Sequence, residues 1–479
     1  MNYRMIAYLL GLIILIEAAF MLLPALVALM YGESSGIAFL ITIAGAFVVS
    51  VLLTRLRPRN RTMYAKEGFI ITASAWIVIS LIGAIPFTIS GQIPSYIDAV
   101  FEMVSGFTTT GSSIVPNVEL LDHCVNFWRC LSHWLGGMGI LVFMLAIVNL
   151  SGGHSNHLLR AESPGPSVAK MVPNMRKSSA ILYSIYMGMT LLEIILLLLG
   201  GMPLFDSLCH AFGTAGTGGF GIKADSIGGY SPYLQTVIAV FMMLFGVNFN
   251  VYFFLLMRKW SNAFRSTEVW VYLGIICFSV LTVTINIMQM FPTLFDALHH
   301  SFFTVSSVIT TTGFVTVDFN LWPQYSRILL VLLMIVGACA GSTGGGVKVS
   351  RFVILFKAAS HEVRKLLHPN SVKVLKMDGK RIGKETVQGV QGYLLVYFAI
   401  TVVSVLIVSF DNFDFVTTFT AVEATLNNIG PGLELVGPTG NYSLFSPLSK
   451  IVLSLDMLLG RLELFPILIM MMPSTWRKH

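Results

Sequence analysis

Long apolar runs alternate with short polar connections along the whole of the 479-residue chain. Runs of about 20 apolar residues are long enough, as helices, to cross a hydrocarbon layer roughly 30 Å thick. Two such runs, about residues 5–30 and 37–54, come first. The first is too long for a signal-peptide core and is not followed by a small-residue cleavage site, so it is read as a retained helix. Further along, four segments of a different kind lie between pairs of apolar runs. Each has an Asp near the start of a half-length helical stretch and ends in a run of Thr, Ser, Asn or Gly. They begin at Ile97-Asp98, Phe205-Asp206, Phe295-Asp296 and Phe413-Asp414. They end at Phe107-Thr-Thr-Thr-Gly111, Ala215-Gly-Thr-Gly-Gly219, Ile309-Thr-Thr-Thr-Gly313 and Leu426-Asn-Asn-Ile-Gly430. Asp and Gly are 13, 13, 17 and 16 residues apart, a spread of about one helical turn of roughly 3.6 residues. The repeated unit is helix, half-helix, loop, helix.

This pattern predicts an all-α integral membrane fold: two N-terminal helices and four tandem repeats around a central pore, pseudo-fourfold and potassium-channel-like. The expected divisions are 1–62 for the extension, then 63–150, 151–260, 261–385 and 386–479 for the repeats. Irregular backbone at membrane depth is tolerated only inside protein or along a watery cavity, so four polar loops at matching depths are expected to surround one path. Glycine allows positive φ, which lets successive carbonyls face that path. Rings of such carbonyls replace the hydration shell of a large monovalent cation. Half-helices entering from outside aim their negative C-termini at the ion.

Composition agrees with a membrane as solvent: 55% of residues are apolar, 11% are charged and the mean hydropathy is +0.79. The net charge of +7 raises nucleic acid as a partner, but the placement of the charge argues against it. Twenty-five of the 30 basic residues fall in alternate connections or at the ends: Arg4; Arg55, Arg57, Arg59, Arg61 and Lys66; Arg160, Lys170, Arg176 and Lys177; Arg258, Lys259 and Arg265; ten between Lys348 and Lys384; and Arg477 and Lys478. The positive-inside rule then gives ten spans with both termini in the cytoplasm. The opposite connections carry Glu33, Asp98, Glu102, Glu119, Asp122, Asp206, Asp225, Asp296, Asp318, Asp411, Asp414 and Glu434, with Lys223 and Lys450 the main basic exceptions. An outer mouth of one sign concentrates cations, although acidic residues are also simply permitted there. The five cysteines show no paired spacing and are read as packing residues.

Several motifs together resemble the Trk/Ktr/HKT superfamily of potassium transporters, and within it the TrkH type. They are Phe107-Thr-Thr-Thr-Gly111, His133-Trp-Leu-Gly-Gly-Met-Gly139, His157-Leu-Leu-Arg-Ala-Glu-Ser-Pro-Gly165, Thr310-Thr-Thr-Gly-Phe314, Gly341-Ser-Thr-Gly-Gly-Gly346 and Asn427-Asn-Ile-Gly-Pro-Gly432. The resemblance spans the chain and includes the two extra N-terminal helices. It implies potassium uptake across a bacterial inner membrane through one pore per chain, a homodimer, and a cytosolic TrkA-type regulatory ring that binds nucleotides. It also implies a potassium-binding filter at Thr109, Thr110 and Gly111; Thr217, Gly218 and Gly219; Thr311, Thr312 and Gly313; and Asn428, Ile429 and Gly430. The second triplet is the least filter-like by pattern.

Two features lie beneath that filter. The apolar run from about Tyr325 is interrupted at Gly337–Gly346 and resumes as a basic helix with Lys348, Arg351 and Lys357. Residues so poor in helix propensity predict a flexible break. In the resembled family the matching stretch, Gly341, Ser342, Thr343, Gly344, Gly345 and Gly346 with Lys348, is a gating loop; small-residue helix packing is the plainer alternative. The same residues nearly spell a phosphate loop, but the Lys is displaced and no soluble strand precedes it, so no nucleotide is assigned to this chain. Arg461 falls near the centre of the last span, where a charge costs roughly 2.5 to 3.5 kcal/mol. The resemblance makes it an electrostatic barrier; an ion pair with Glu463 or Asp456 is the alternative. His133, His210, His299, His300 and Glu193 are read as packing or interfacial groups rather than proton relays. A membrane enzyme lacks support from any catalytic motif. A symporter coupling potassium to sodium or protons stays open.

Overall fold

The computed structural model describes residues 1–56, 65–139, 175–368 and 374–476. Arg57, Arg59, Arg61, Arg160, Lys170, Arg477, Lys478, the 157–165 motif and the part of the fourth apolar run beyond Gly139 lie outside the described residues.

The N-terminal extension is a hairpin. Helices α1 (Tyr3–Phe20) and α2 (Leu22–Tyr31) form one span and α3 (Gly36–Arg55) returns beside it. Close approach is possible because Gly11 lies against Leu53, and Ser50 donates to the Gly11 carbonyl at 2.7 Å. The hairpin covers the first repeat, which comprises outer helix α4 (Ala65–Ile89), pore helix α5 (Tyr96–Phe107) and inner helix α6 (His123–Gly137). Accordingly α4 buries 61% of its most apolar stretch, against 28% for α3.

The second repeat has outer helix α7 (Met175–Leu199), pore helix α8 (Leu204–Gly216) and an inner helix in two pieces, α9 (Pro232–Phe245) and α10 (Phe249–Leu256), bent by 90°. A short α11 (Trp260–Phe264) leads to the third: outer helix α12 (Thr267–Ile287), pore helix α13 (Leu294–Ile309), inner helix α14 (Gln324–Val336), an irregular loop and α15 (Val349–Leu367). A two-residue hairpin, β1 (Lys376–Met377) and β2 (Lys380–Arg381), precedes the fourth. That repeat has outer helix α16 (Lys384–Val408), pore helix α17 (Phe415–Leu426), inner helix α18 (Pro447–Arg461) and α19 (Phe465–Met471). A last turn, α20 (Pro473–Trp476), follows. Outer helices α12 and α16 expose Phe278, Leu281, Leu395 and Phe398, a surface that hydrocarbon solvates and water does not.

Three of the four pore helices start on a polar cap, and α8 starts on Pro203. Ser95 and Thr293 cap α5 and α13 by accepting the N–H of Asp98 and Asp296 at 3.4 and 3.1 Å. In the fourth repeat Asp414 is itself the cap, accepting Thr417 N–H at 2.9 Å. Its Asp therefore stands one position before the helix, and α13 has 16 residues against 12 or 13 in the others. Those two facts account for the longer separations in repeats three and four.

The expected single break in an inner helix is a property of all of them. Helix α6 stops at Gly137, α9 bends after Phe245, α14 stops before Gly337 and α18 stops at Arg461. Among the described residues only six uninterrupted helices are long and apolar enough to span a membrane, or seven with the bent pair. Close packing under the pore helices is one reason. A Cβ on Gly136 would lie 1.8 Å from the Phe107 carbonyl oxygen, and one on Gly460 would lie 2.0 Å from that of Leu426.

Candidate functional site

All four pore helices end in the same way. Thr109, Thr217, Thr311 and Asn428 take left-handed backbone, with φ of 56°, 55°, 59° and 56°. The next residue's N–H reaches back five positions: Thr110 to Ser105, Gly218 to Gly213, Thr312 to Ser307 and Ile429 to Ala424, at 2.8 to 2.9 Å. This is the Schellman closure, which normally places Gly at the left-handed position. Here β-branched Thr holds it three times, an unfavourable conformation that is fixed by the surrounding packing. The closure turns the chain sharply out of the helix and starts the following loop strand at a fixed point in every repeat.

The strands then meet in a ring. A Cβ on Gly111 would lie 1.9 Å from the Gly218 carbonyl oxygen, and one on Gly219 would lie 2.0 Å from that of Thr312. Gly313 faces Pro431 and Gly430, and Gly430 faces the Gly111 and Thr110 carbonyls. Strand one thus neighbours two, two neighbours three, three neighbours four, and four closes on one. Glycine is required twice over, for these approaches and for φ of 82°, 79° and 87° at Gly111, Gly219 and Gly313.

The fourth strand differs. Gly430 has no positive φ and is buried, whereas the other three glycines are partly exposed. Pro431 follows it, and the residue before proline is pushed to extended backbone. Its carbonyl accepts from Ser112 Oγ at 3.1 Å and Tyr442 OH at 3.0 Å, and its N–H donates to the Thr110 carbonyl. The expectation that one glycine per strand supplies positive φ therefore holds for three strands and not for Gly430.

Beneath the ring lies the loop between α14 and α15, and it is packed rather than loose. Gly345 N–H donates to Thr311 Oγ1 at 2.6 Å, and Gly346 N–H donates to the Asn427 carbonyl at 3.0 Å. Cys339 and Thr343 N–H groups reach the carbonyls of Gly246 and Phe245 at the bend of α9. Buried Glu268, on α12, accepts from Ala340 N–H at 2.6 Å and Ser350 N–H at 3.1 Å, which clasps both ends of the loop. Thr343, Gly344 and Gly345 are buried, Gly341 is exposed, Ser342 bonds back to Cys339, and Lys348 Nζ donates to the Gly344 carbonyl. Poor helix propensity predicted the break, but not the hydrogen bonds that order it.

Arg461 reaches the same place from α18. Its guanidinium donates to Thr109 Oγ1 at 3.0 Å, to the Thr343 carbonyl at 2.9 Å and to the Gly137 carbonyl at 2.8 Å. It therefore ties strand one of the ring, the loop and the end of α6 together. Glu463 pairs with Arg351 of α15, and Asp456 accepts from Ser404 at 2.8 Å. Glu268, and the buried pair Arg129 and Glu102 at 2.7 Å, have no counterpart among the residues expected from sequence to form the site. The available signal was a charge inside an otherwise apolar segment, but spacing alone did not show what each would meet.

A four-repeat, multi-pass membrane protein with one ring of pore loops over a packed loop is thus defined. Residues 35–478 match the family described as TrkH, cation transport protein, and the chain belongs to that family. Across full length it is 36% identical to the Trk system potassium uptake protein TrkH of Salmonella typhimurium and 35% identical to that of Escherichia coli K12. It is 32% identical to TrkG of Escherichia coli K12, over 99% of each chain. The crystal structure of the potassium transporter TrkH from Vibrio parahaemolyticus superposes with a TM-score of 0.89 at 30% identity and covers all of both chains.

Proposed function

We propose that this protein takes up potassium through a gated, channel-like pore, with the ring at 109–111, 217–219, 311–313 and 428–430 as its selectivity filter. The observation that carries this reading is the closed order of four strands, each launched by the same left-handed turn. Main-chain oxygens in such a ring suit a large monovalent cation. Pore-helix C-termini add negative potential. The 337–348 loop and Arg461 act as the gate beneath it, holding a positive charge and packed backbone across the path.

A cytosolic nucleotide-binding ring of the TrkA type is the proposed controlling partner, acting on a homodimer in the bacterial inner membrane. The name of the relatives, a Trk system, supports a partner, and the basic residues of α15 and the β1–β2 hairpin offer it a surface. Both termini are assigned to the cytoplasm on the charge asymmetry. Reversal potentials of the purified protein in liposomes test the central claim. In a channel-like path potassium and any sodium leak contribute independently, each by its own permeability; a reversal potential that shifts with an imposed proton gradient, or potassium driven uphill by a sodium gradient, establishes coupled symport instead.

A further inference from the structure

The second filter strand breaks the pattern of its neighbours in its middle residue. Strands one and three carry Thr110 and Thr312 there, and each hydroxyl bonds back to its own helix end, to Thr108 and Thr310, at 2.8 Å. Strand two has Gly218, with Gly216 at the earlier position, so it has no hydroxyl pair. The space is filled from another helix. A Cβ on Gly218 would lie 2.4 Å from Cγ of His133, and one on Gly216 would lie 2.3 Å from the His133 carbonyl oxygen.

His133 is fully buried on α6 and makes two bonds of opposite sense. Its Nδ1 is 2.7 Å from the Gly106 carbonyl oxygen and its Nε2 is 3.1 Å from the Phe220 N–H. The carbonyl only accepts, so Nδ1 carries the proton, and Nε2 offers its lone pair to Phe220. The imidazole is thus a neutral link between pore helix α5 and strand two. One helical turn earlier, Arg129 reinforces it. Its guanidinium carbon stands 4.2 Å over the Phe220 ring, and one nitrogen reaches the Gly221 carbonyl at 3.4 Å. The same group bonds Glu102 at 2.8 Å and Ser113 at 3.2 Å, and Glu102 accepts the Ile114 N–H at 2.9 Å. The outgoing backbone of strand one is therefore held by the ion pair that also holds strand two.

We infer that His133 and Arg129 are positioning residues for ion selection: they replace, from outside the strand, the threonine brace that the second filter strand lacks, and so fix the spacing of strands one and two. A buried ion pair adds little net stability against an apolar substitute, whereas fully satisfied polar networks specify one geometry. Supporting groups of this kind set how closely a site keeps its dimensions. The inference rests on the reading of the ring as a filter.

The test measures reversal potentials of full-length protein in liposomes under opposed potassium and sodium gradients. Amount and monodispersity in detergent serve as the folding control. His133→Ala and Arg129→Ala are each expected to lower the potassium-to-sodium permeability ratio by about fivefold or more, with potassium current retained. Arg129→Lys keeps the charge beside Glu102 but loses the fork, and is expected to fall between. Phe220→Leu keeps apolar bulk and removes the ring; it is expected to shift the ratio in the same direction and decides the matter if the alanine variants do not fold. Variants that keep the wild-type ratio overturn the inference. Gly111→Ser, measured alongside, separates the two readings. If it alone moves the ratio, the brace fails and the filter stands; if it too is silent, the filter reading fails and the brace falls with it.

Discussion

Gly111 shows how much one missing carbon decides. Its φ is 82°, and the place of its Cβ lies 1.9 Å from the Gly218 carbonyl oxygen. Serine there adds about 1 to 2 kcal/mol of left-handed strain and forces strand two away from strand one. Gly111→Ser is expected to cut potassium-to-sodium discrimination by about tenfold, the equivalent of roughly 1.4 kcal/mol, as read from reversal potentials. Arg461 acts by charge rather than shape. A guanidinium near the path opposes a cation by on the order of 1 to 2 kcal/mol at an effective dielectric of about 20. Arg461→Ala is expected to raise potassium flux by about tenfold and to relax selectivity, since its bond to Thr109 Oγ1 goes with it. Unchanged uptake kinetics in that variant refute the barrier. Glu33 lies in the turn between α2 and α3. Burial pulls its carboxyl up, but the N–H groups of Cys124 and His123 and the His123 ring outweigh that and leave it below the ordinary range. A lowered native pKa contributes stability that is present above the unfolded value of about 4.3 and is lost as pH falls through the native one. The melting temperature of wild type in detergent is thus expected to exceed that of Glu33→Gln at neutral pH and to converge with it below that range.

At the scale of elements, the two halves of the site were unequally legible. The pore helices announced themselves by an Asp, a half-length apolar stretch and a Thr–Gly ending, because local backbone chemistry dictates them: a cap, a helix, a left-handed exit. The triplets also align with the four left-handed turns position for position. The breaks in α6, α9 and α18 were not legible, because they coincide with the approach of Gly136, Gly246 and Gly460 to residues distant in sequence, at the pore-helix ends and on α12. Gly430 misled for a local reason that was visible, the proline after it. The loop at 337–348 is the clearest mixture: its glycines predicted irregular backbone, while its order comes from Glu268 on α12, 72 residues before Ala340. Glu268→Ala leaves the buried Ser350 N–H without its acceptor, at a cost of about 1 to 3 kcal/mol, and frees the half-buried Ala340 N–H, whereas Glu268→Gln retains an acceptor oxygen. Basal potassium flux in liposomes is therefore expected to rise in Glu268→Ala and to stay near wild type in Glu268→Gln. Equal fluxes in both variants contradict a role for the clasp in closure.

Across the whole molecule, charge decides orientation where the helices cannot. Repeats with the same outer–pore–inner order fit a membrane either way up by apolar length alone; the distribution of Lys and Arg breaks the tie. Glu119 and Asp225 belong to neighbouring loops at the pore-helix mouth, where Glu119 accepts the Ala224 N–H at 3.0 Å. Arg258 and Lys259 stand at the opposite end, after α10. Short basic connections are retained on the cytoplasmic side, each such charge costing several kcal/mol to carry through hydrocarbon. An impermeant thiol reagent applied to intact cells is expected to label Glu119→Cys and Asp225→Cys, and to label Lys259→Cys only after permeabilisation. Of the native cysteines only Cys277 is exposed, on the lipid side of α12, so a Cys277→Ser background serves. Labelling of Lys259→Cys in intact cells reverses the orientation. The half-helix dipoles then present their positive ends to the wrong side, and uptake loses the electrostatic argument for an acidic outer mouth that concentrates the ion before it meets the ring.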